Sequence, residues 1–408
     1  MLIGSLGADS LGINVNIIMS ANCEIKFDHN PHGVYLPGQT LSGTVELCLK
    51  DTLTMKGVVL QIKGRAKVKW SKTSTIGDSH YVVKYRGRQD YMNSTTYLIG
   101  SNDGSNIELP TGLHAYRFSF ILPTDLVTSL EADKGHIRYT VKVMLERSWK
   151  VDYSYKKAFT VLRHVNLNEE NLEVRLPSKV AKQKHFLWGP FKSAPLLMII
   201  ETPISGYAPG QTIAVRIEVD NQSNRQMKGI ITRLVREVSL ISQSPHTKVQ
   251  PVYTVVSEVQ CIGVEKRSKG STMQYLNIPP LPPTNRTCQV MTVNYFVEVE
   301  GNISGPASNP KVQIPITLGT IPLTTNAVPN FDNAASTSTS IVVQPMTVLH
   351  ENLRPPSYEE AILSCENNVQ EKGETNKIGW KEYTPCYTIY HFNEEDKTHP
   401  YSNSKKYL

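Results

Sequence analysis

Two clusters of residues in this sequence have types and spacings suited to binding chemistry. The first is Arg354-Pro-Pro-Ser-Tyr-Glu-Glu-Ala361, in which Pro355, Pro356 and Tyr358 form a P-P-x-Y motif. Paired prolines pre-set an extended polyproline geometry, so little entropy is lost on docking. WW domains grip such a segment in an aromatic-lined groove, and the tyrosine fills an adjoining pocket. Glu359 to Leu363 favour a helical turn directly after it. A degenerate second copy, Thr384-Pro-Cys-Tyr387, keeps Pro385 and Tyr387 but has Thr where the first proline should stand. If both copies engaged tandem WW domains, the second event would be intramolecular and avidity would rise without new contacts.

The second cluster is cationic. Lys63, Arg65, Lys67 and Lys69 alternate with Ile62, Gly64, Ala66, Val68 and Trp70. On a strand, the four cations point to one face and the apolar residues to the other. Four like charges on one face are costly unless solvated or opposed by anions. The expected ligand is a phosphorylated peptide or an anionic lipid surface. The competing reading is a solvated edge strand guarded by lysines.

Catalytic and metal constellations are not found. There is no G-x-S-x-G, no H-E-x-x-H, no phosphate loop and no G-x-G-x-x-G in a strand–helix context, so an enzyme is not expected. The six cysteines, Cys23, Cys48, Cys261, Cys288, Cys365 and Cys386, contain no C-x-x-C pair, so neither zinc nor any other cofactor is implied. Nor does a chain of this length need a disulfide scaffold.

An internal repeat organises the elements that must carry these residues. Gly33-Val-Tyr-Leu-Pro-Gly-Gln-Thr40 recurs as Gly206-Tyr-Ala-Pro-Gly-Gln-Thr212. Each copy is a Pro-Gly turn followed by period-two apolar positions: Leu41, Val45, Leu47 and Leu49, then Ile213, Val215, Ile217 and Val219. The far ends match as well. Tyr139-Thr-Val-Lys-Val-Met-Leu145 and Tyr295-Phe-Val-Glu-Val-Glu300 both alternate, and each follows a strand and a proline-bearing loop. Such a long period excludes a solenoid and fits two copies of one domain. Short alternating strands with almost no helical pattern predict an all-β chain of two tandem immunoglobulin-like β-sandwiches. The expected boundaries are a flexible extension over 1–20, a first sandwich over 21–170, a linker over 171–194 with room for one short helix, and a second sandwich over 195–320.

Residues 321–408 differ in character. Asn333-Ala-Ala-Ser-Thr-Ser-Thr-Ser340 is polar and of low complexity, and predicts a disordered tail that acts through short motifs. The tail holds seven Lys and Arg against eleven Asp and Glu, which leaves 36 against 25 for the rest of the 408-residue chain. A basic body with an acidic tail suits anionic membrane surfaces or phosphorylated partners, and nothing suggests nucleic acid. No apolar run approaches the ~20 residues that span a bilayer. Met1 to Ser20 lacks the basic flank of a secretory signal, so the expected location is the cytosol and the four N-x-[ST] sequons are taken as chance matches.

The two Pro-Gly-Gln-Thr copies in successive β domains, followed by Pro-Pro-Ser-Tyr358, make the chain similar to the arrestin-domain-containing proteins, or α-arrestins. The resemblance implies two arrestin-fold sandwiches forming a cytosolic adaptor that is recruited to the plasma membrane and endosomes. It implies that the body holds membrane receptors or transporters. It further implies that P-P-x-Y recruits HECT-type ubiquitin ligases with tandem WW domains, so that cargo is ubiquitinated, internalised and sorted. Family members usually carry two P-P-x-Y motifs; Pro355, Pro356 and Tyr358 match the first, and Thr384 departs from the second. Two other readings remain open: a coat- or retromer-type sorting subunit that works without a ligase, and a non-enzymatic extracellular β-sandwich binding protein.

Overall fold

The computed structural model describes residues 21–103, 105–147, 152–188, 191–324 and 383–389. In the first half, the strands are β1 (Ala21–Phe27), β2 (Val34–Tyr35), β3 (Thr40–Leu49), β4 (Leu53–Met55), β5 (Gly57–Ile76), β6 (Ser79–Gly100), β7 (Ile107–Leu109), β8 (Gly112–Ile121), β9 (Leu130–Ala132), β10 (Gly135–Glu146) and β11 (Tyr153–Val161). After a 3-10 turn at Leu172–Arg175 follow β12 (Ser178–Lys184), β13 (Leu187–Trp188), β14 (Phe191–Lys192), β15 (Leu196–Thr202), β16 (Gly206–Tyr207), β17 (Thr212–Asn221), β18 (Met227–Ser242), β19 (Lys248–Ile262), β20 (Ser268–Asn277), β21 (Met291–Ile303) and β22 (Lys311–Leu318).

Each half packs two sheets face to face. In the first, β1-β3-β8 covers β2-β11-β10-β5-β6, with β9 added to β10. In the second, β12-β15-β17-β20 covers β16-β22-β21-β18-β19. The inner faces meet in a core of residues such as Leu41, Val45, Ile62, Tyr139 and Phe159, then Ile213, Ile217, Leu234, Tyr295 and Ile314. Alternation in the sequence therefore reports real burial, as a half-buried strand requires. The all-β, two-sandwich expectation holds.

The repeat is reproduced at atomic detail. Gly38 and Gly210 take φ of 83° and 94°, which a type II Pro-Gly turn demands and only glycine adopts freely. The Gln39 amide donates to the Leu36 carbonyl at 3.2 Å, and Gln211 to Ala208 at 3.1 Å. Both glutamines then fold back, their Oε1 accepting from the Leu36 and Ala208 amides at 2.8 and 2.7 Å. Just before each turn, a two-residue strand runs parallel to the last long strand of its sandwich, β2 beside β11 and β16 beside β22. The matched tyrosines do the same work: the Tyr139 hydroxyl donates to the Val127 carbonyl and that of Tyr295 to the Pro282 carbonyl, both at 2.7 Å.

Three features depart from the sequence reading. β5 and β6 run for 20 and 22 residues, far longer than the short strands expected, because their pairing continues past the sandwich as a two-stranded arm. The stretch expected as linker contains β12, which pairs with β15 and so belongs to the second sandwich. Two parts of the expected tail pack on the body. Residues 321–324 lie against the connecting segment, where the Leu167 amide donates to Ile321 O and the Asn168 side chain to Pro322 O. Residues 383–389 lie against the first sandwich, as described below.

Candidate anion- and peptide-binding face

β5 divides its residues as its alternation requires. Ile62, Ala66, Val68 and Trp70 are buried in the first sandwich, and Lys63, Arg65, Lys67 and Lys69 face away from the core. Trp70 is a core residue, stacked on Tyr85 at 5.3 Å between ring centres.

Strand register decides what joins the four cations. On β10, Arg138 lies opposite Arg65, Thr140 opposite Lys63, and Lys142 opposite Gln61. On β11, Lys156 lies opposite Lys142 and Ala158 opposite Thr140. On β6, Arg88 and Arg86 lie opposite Lys67 and Lys69. Directly opposed residues share a face. One solvent-facing surface therefore carries cations from four strands.

Two depressions mark this surface. The first, of about 190 Å³, is lined by Lys63, Arg65, Arg138, Lys142, Lys156 and the polar Gln61 and Thr140. Glu131 holds Arg138 through two bonds of 2.7 Å, from Nε to Oε1 and from Nη2 to Oε2, which fixes the guanidinium plane at the rim. The second, of about 490 Å³, takes in Lys67, Lys69, Arg86 and Arg88 from the first sandwich and Gln243 and Ser244 from the second. The predicted row is thus split two and two. Lys63 and Arg65 serve a pocket within one sandwich, and Lys67 and Lys69 serve a cleft where the sandwiches meet. Sequence reading missed Arg138, Lys142, Lys156, Arg86 and Arg88. The signal was present as Arg138-x-Thr140-x-Lys142 and Arg86-x-Arg88, but only register shows which strands lie side by side.

A mobile polyanion would find this surface wetted and cationic. Lysine and arginine ends on adjacent strands can hold phosphate or carboxylate oxygens by charge-assisted hydrogen bonds. Among the described residues no group of His, Cys, Asp and Glu is placed to hold a metal ion, and no helix is long and apolar enough to cross a membrane.

The two tail motifs fare differently. Pro355, Pro356 and Tyr358 lie outside the described residues. Pro385 and Tyr387 lie in the segment 383–389, which is seated on the first sandwich. Tyr383 is buried against Ala158, and its hydroxyl contacts Phe159 O at 3.0 Å and Thr160 Oγ1 at 3.1 Å. Burial pushes this phenol up to about 12, against the opposing pull of its hydrogen bonds to Thr160 and Ser129. The Cys386 amide donates to Thr160 Oγ1 at 3.2 Å, and the Tyr387 hydroxyl donates to Ser129 O at 3.0 Å. Cys386 and Tyr387 share a small apolar cluster with Val34, Leu36 and Leu162. Pro385 is buried and Thr384 exposed. Cys386 is disulfide-bonded, whereas Cys23, Cys48, Cys261 and Cys288 are free thiols.

Comparison with known proteins gives consistent results. The family described as "Arrestin (or S-antigen), N-terminal domain" matches residues 23–168, and "Arrestin (or S-antigen), C-terminal domain" matches residues 192–323. The chain is similar to arrestin domain-containing protein 17 of Caenorhabditis elegans, 31% identical over 310 residues, which span 73% of this chain and 70% of that protein. It is 25% identical over 346 residues to arrestin domain-containing protein 4 of Mus musculus, covering 82% and 80% of the two chains. It is 26% identical over 300 residues to arrestin domain-containing protein 1 of Homo sapiens, covering 73% and 64%.

Proposed function

The chain belongs to the arrestin family, among the arrestin domain-containing proteins, and from this premise we propose that it is an adaptor joining membrane cargo to a WW-domain-containing HECT ubiquitin ligase. The coarser part, an arrestin-type adaptor with no catalytic family signature, follows from the family. The finer part rests on two ends of one molecule. The cationic face of β5, β6, β10 and β11 receives the anionic cytosolic tail of a receptor or transporter. Pro355, Pro356 and Tyr358 dock in a WW domain. Cargo is then ubiquitinated, internalised and sorted from endosomes, which would bring a cytoplasmic protein to the plasma membrane and endosomal surface. Anionic lipid beside the cargo adds to the attraction.

The single observation that carries the reading is the convergence of Lys63, Arg65, Arg138, Lys142 and Lys156 on one depression of an arrestin sandwich. The sequence motif supplies the other half. The decisive experiment is co-purification of ligase and cargo with the full chain, wild type beside Pro356→Ala and Tyr358→Ala. Loss of ligase with retained cargo is expected. Intact cargo sorting in the absence of any ligase would instead favour a sorting subunit that works without ubiquitin.

A further inference from the structure

The small sheet β1-β3-β8 has two edges, and the fold treats them differently. Ladder parity shows where their backbone groups point. The Leu122 amide donates to Gln39 O at 2.9 Å, one position beyond the Thr40–Ile121 pair. Bonding alternates along an antiparallel ladder, so Phe120, Phe118, Tyr116 and His114 bond β3, while Ile121, Ser119, Arg117, Ala115 and Leu113 turn their N–H and C=O outward. On β1 the same parity turns Ala21 and Ile25 outward, and there Tyr155 Oη and Lys157 Nζ donate to their carbonyls at 2.7 and 2.9 Å. Among the described residues, no hydrogen bond reaches the outward backbone of β8.

An uncovered edge is a template for another strand, and two other edge strands of this molecule are blunted. β19 carries Pro251, Glu258 and a register shift at Leu234/Val235. β20, the counterpart of β8 in the repeat, has Lys269 ion-paired with Asp220 at 2.8 Å. β8 has neither proline nor register shift from Gly112 to Ile121. Its outward side chains include Leu113 and Ile121, 68% and 72% exposed, the most exposed large hydrophobics among the described residues of the first sandwich. Its inward rings, Tyr116 and Phe120, are only partly buried against the core, so a further strand has apolar surface left to cover. Between the two apolar ends stands Arg117, exposed and with no ion pair among the described residues. Across β3 it faces Thr44, and the nearby carboxylates of Glu24 and Glu46 are engaged by Lys26 at 3.6 and 2.7 Å.

We propose that the β8 edge accepts a strand from another protein, an extended segment with a carboxylate opposite Arg117 and aliphatic residues on either side of that acid. Main-chain bonds to the outward groups hold such a segment, and alternate side chains select it. The acid lies on the outer face with Arg117, and its aliphatic neighbours point the other way, toward Tyr116 and Phe120. A second copy of this chain fits poorly. Pairing β8 with itself about its centre brings Leu113 to Ile121 but sets Arg117 directly against Arg117, and like charges so placed are unfavourable. Displacing the register separates the Leu113–Ile121 pairs. This docking uses neither the cationic face nor Pro355-Pro356-x-Tyr358, so it stands or falls apart from the adaptor reading.

The test titrates a labelled peptide, Thr-Val-Ser-Val-Glu-Val-Ser-Val-Thr, with the full chain and follows its anisotropy. Saturable binding is expected, weakened about tenfold by Arg117→Glu and restored in that variant when the peptide carries Lys in place of Glu. Ala115→Pro removes an outward N–H that bonds nothing in the sheet; an edge tolerates this, and binding should be lost. Hydrogen exchange reads the register. With peptide, the amides of Leu113, Ala115, Arg117, Ser119 and Ile121 should slow, while those of Tyr116 and Phe118, already slow, stay unchanged. If Ala115→Pro itself quickens Tyr116, the charge swap at Arg117 decides alone. A swap that restores nothing, full binding by a folded Ala115→Pro variant, or no binding up to about 1 mM overturns the proposal. So does slow exchange at the five outward amides without peptide. Slowing independent of protein concentration would mean that the chain covers its own edge, and slowing that grows with concentration would mean a second copy.

Discussion

Single residues in this protein gain their character from what surrounds them. Glu300 is an instance in the second sandwich. Burial alone would raise its carboxyl, but hydrogen bonds from Asn309 at 2.7 Å and Arg233 at 2.7 Å, with Lys311 at 3.1 Å, outweigh that and hold it at about 2, below its ordinary 4.5. The depressed value means the ionised form is favoured by folding. Its stabilising contribution is complete above pH 4.5 and is lost as pH falls through 2. Urea unfolding between pH 6 and 2 should therefore show Glu300→Gln with a shallower acid loss than wild type. Identical slopes for the two proteins would remove Glu300 from the acid response. Arg233 links this carboxylate to Glu258 at 2.6 Å, so the effect belongs to a small network rather than to an isolated pair.

At the scale of elements, β5 presents a row of cations ~20 Å long between Lys63 and Lys69 on its outer face. Position along the strand gives these residues unequal company. Lys63 and Arg65 are joined by Arg138, Lys142 and Lys156, whereas Lys67 and Lys69 face Arg86 and Arg88 beside Gln243 and Ser244 of the second sandwich. Asp90 engages Arg88 at 2.7 Å and reduces the second group's net charge. Reversing Lys63 and Arg65 to Glu should weaken binding of a doubly phosphorylated peptide by tenfold or more, at about 1 kcal/mol for each charge near an anionic ligand. Reversing Lys67 and Lys69 should do less. Fluorescence anisotropy in low and physiological salt checks both, because the effect must shrink as screening increases. Equal losses from the two pairs would mean that only net charge matters.

The whole molecule depends on how closely the two sandwiches approach. Gly87 lies where they meet: a Cβ there would stand 2.6 Å from Ile241 O and 2.9 Å from a Val68 methyl. Around it, the Arg86 amide donates to Ser244 O at 2.9 Å and the Gln289 amide to Gln89 Oε1 at 2.8 Å. Tyr85 adds an aromatic hinge plate, stacked on Trp70, edge-on to His246, and with Lys248 Nζ 4.9 Å above its ring. Gly87→Val should part the sandwiches without unfolding either one. Hydrogen exchange should then quicken at Arg86, Arg88 and 241–244 and stay slow in the strand cores around Val141 and Val297. Faster exchange throughout the first sandwich would show that the glycine serves its own fold instead. The cleft holding Lys67 and Lys69 would change with such a separation, and the depression at Lys63 would not.

The sequence by itself determined the class of fold, its duplication and the outward direction of the β5 cations. Those properties are local: period-two alternation sorts side chains between two faces, and Pro-Gly followed by Gln writes the same turn at Leu36 and Ala208 regardless of what lies far away. The tertiary structure alone decided which cations become neighbours, because strand register brings Arg138 beside Arg65 from more than seventy positions along the chain. It also decided the fate of the second tyrosine motif. Tyr387 reads from sequence as a free peptide group, and only the distant surface formed by Val34, Ser129 and Leu162 gives it a partly buried seat. Burial at that surface is a non-local balance of contact against chain entropy, which no short string of residues encodes.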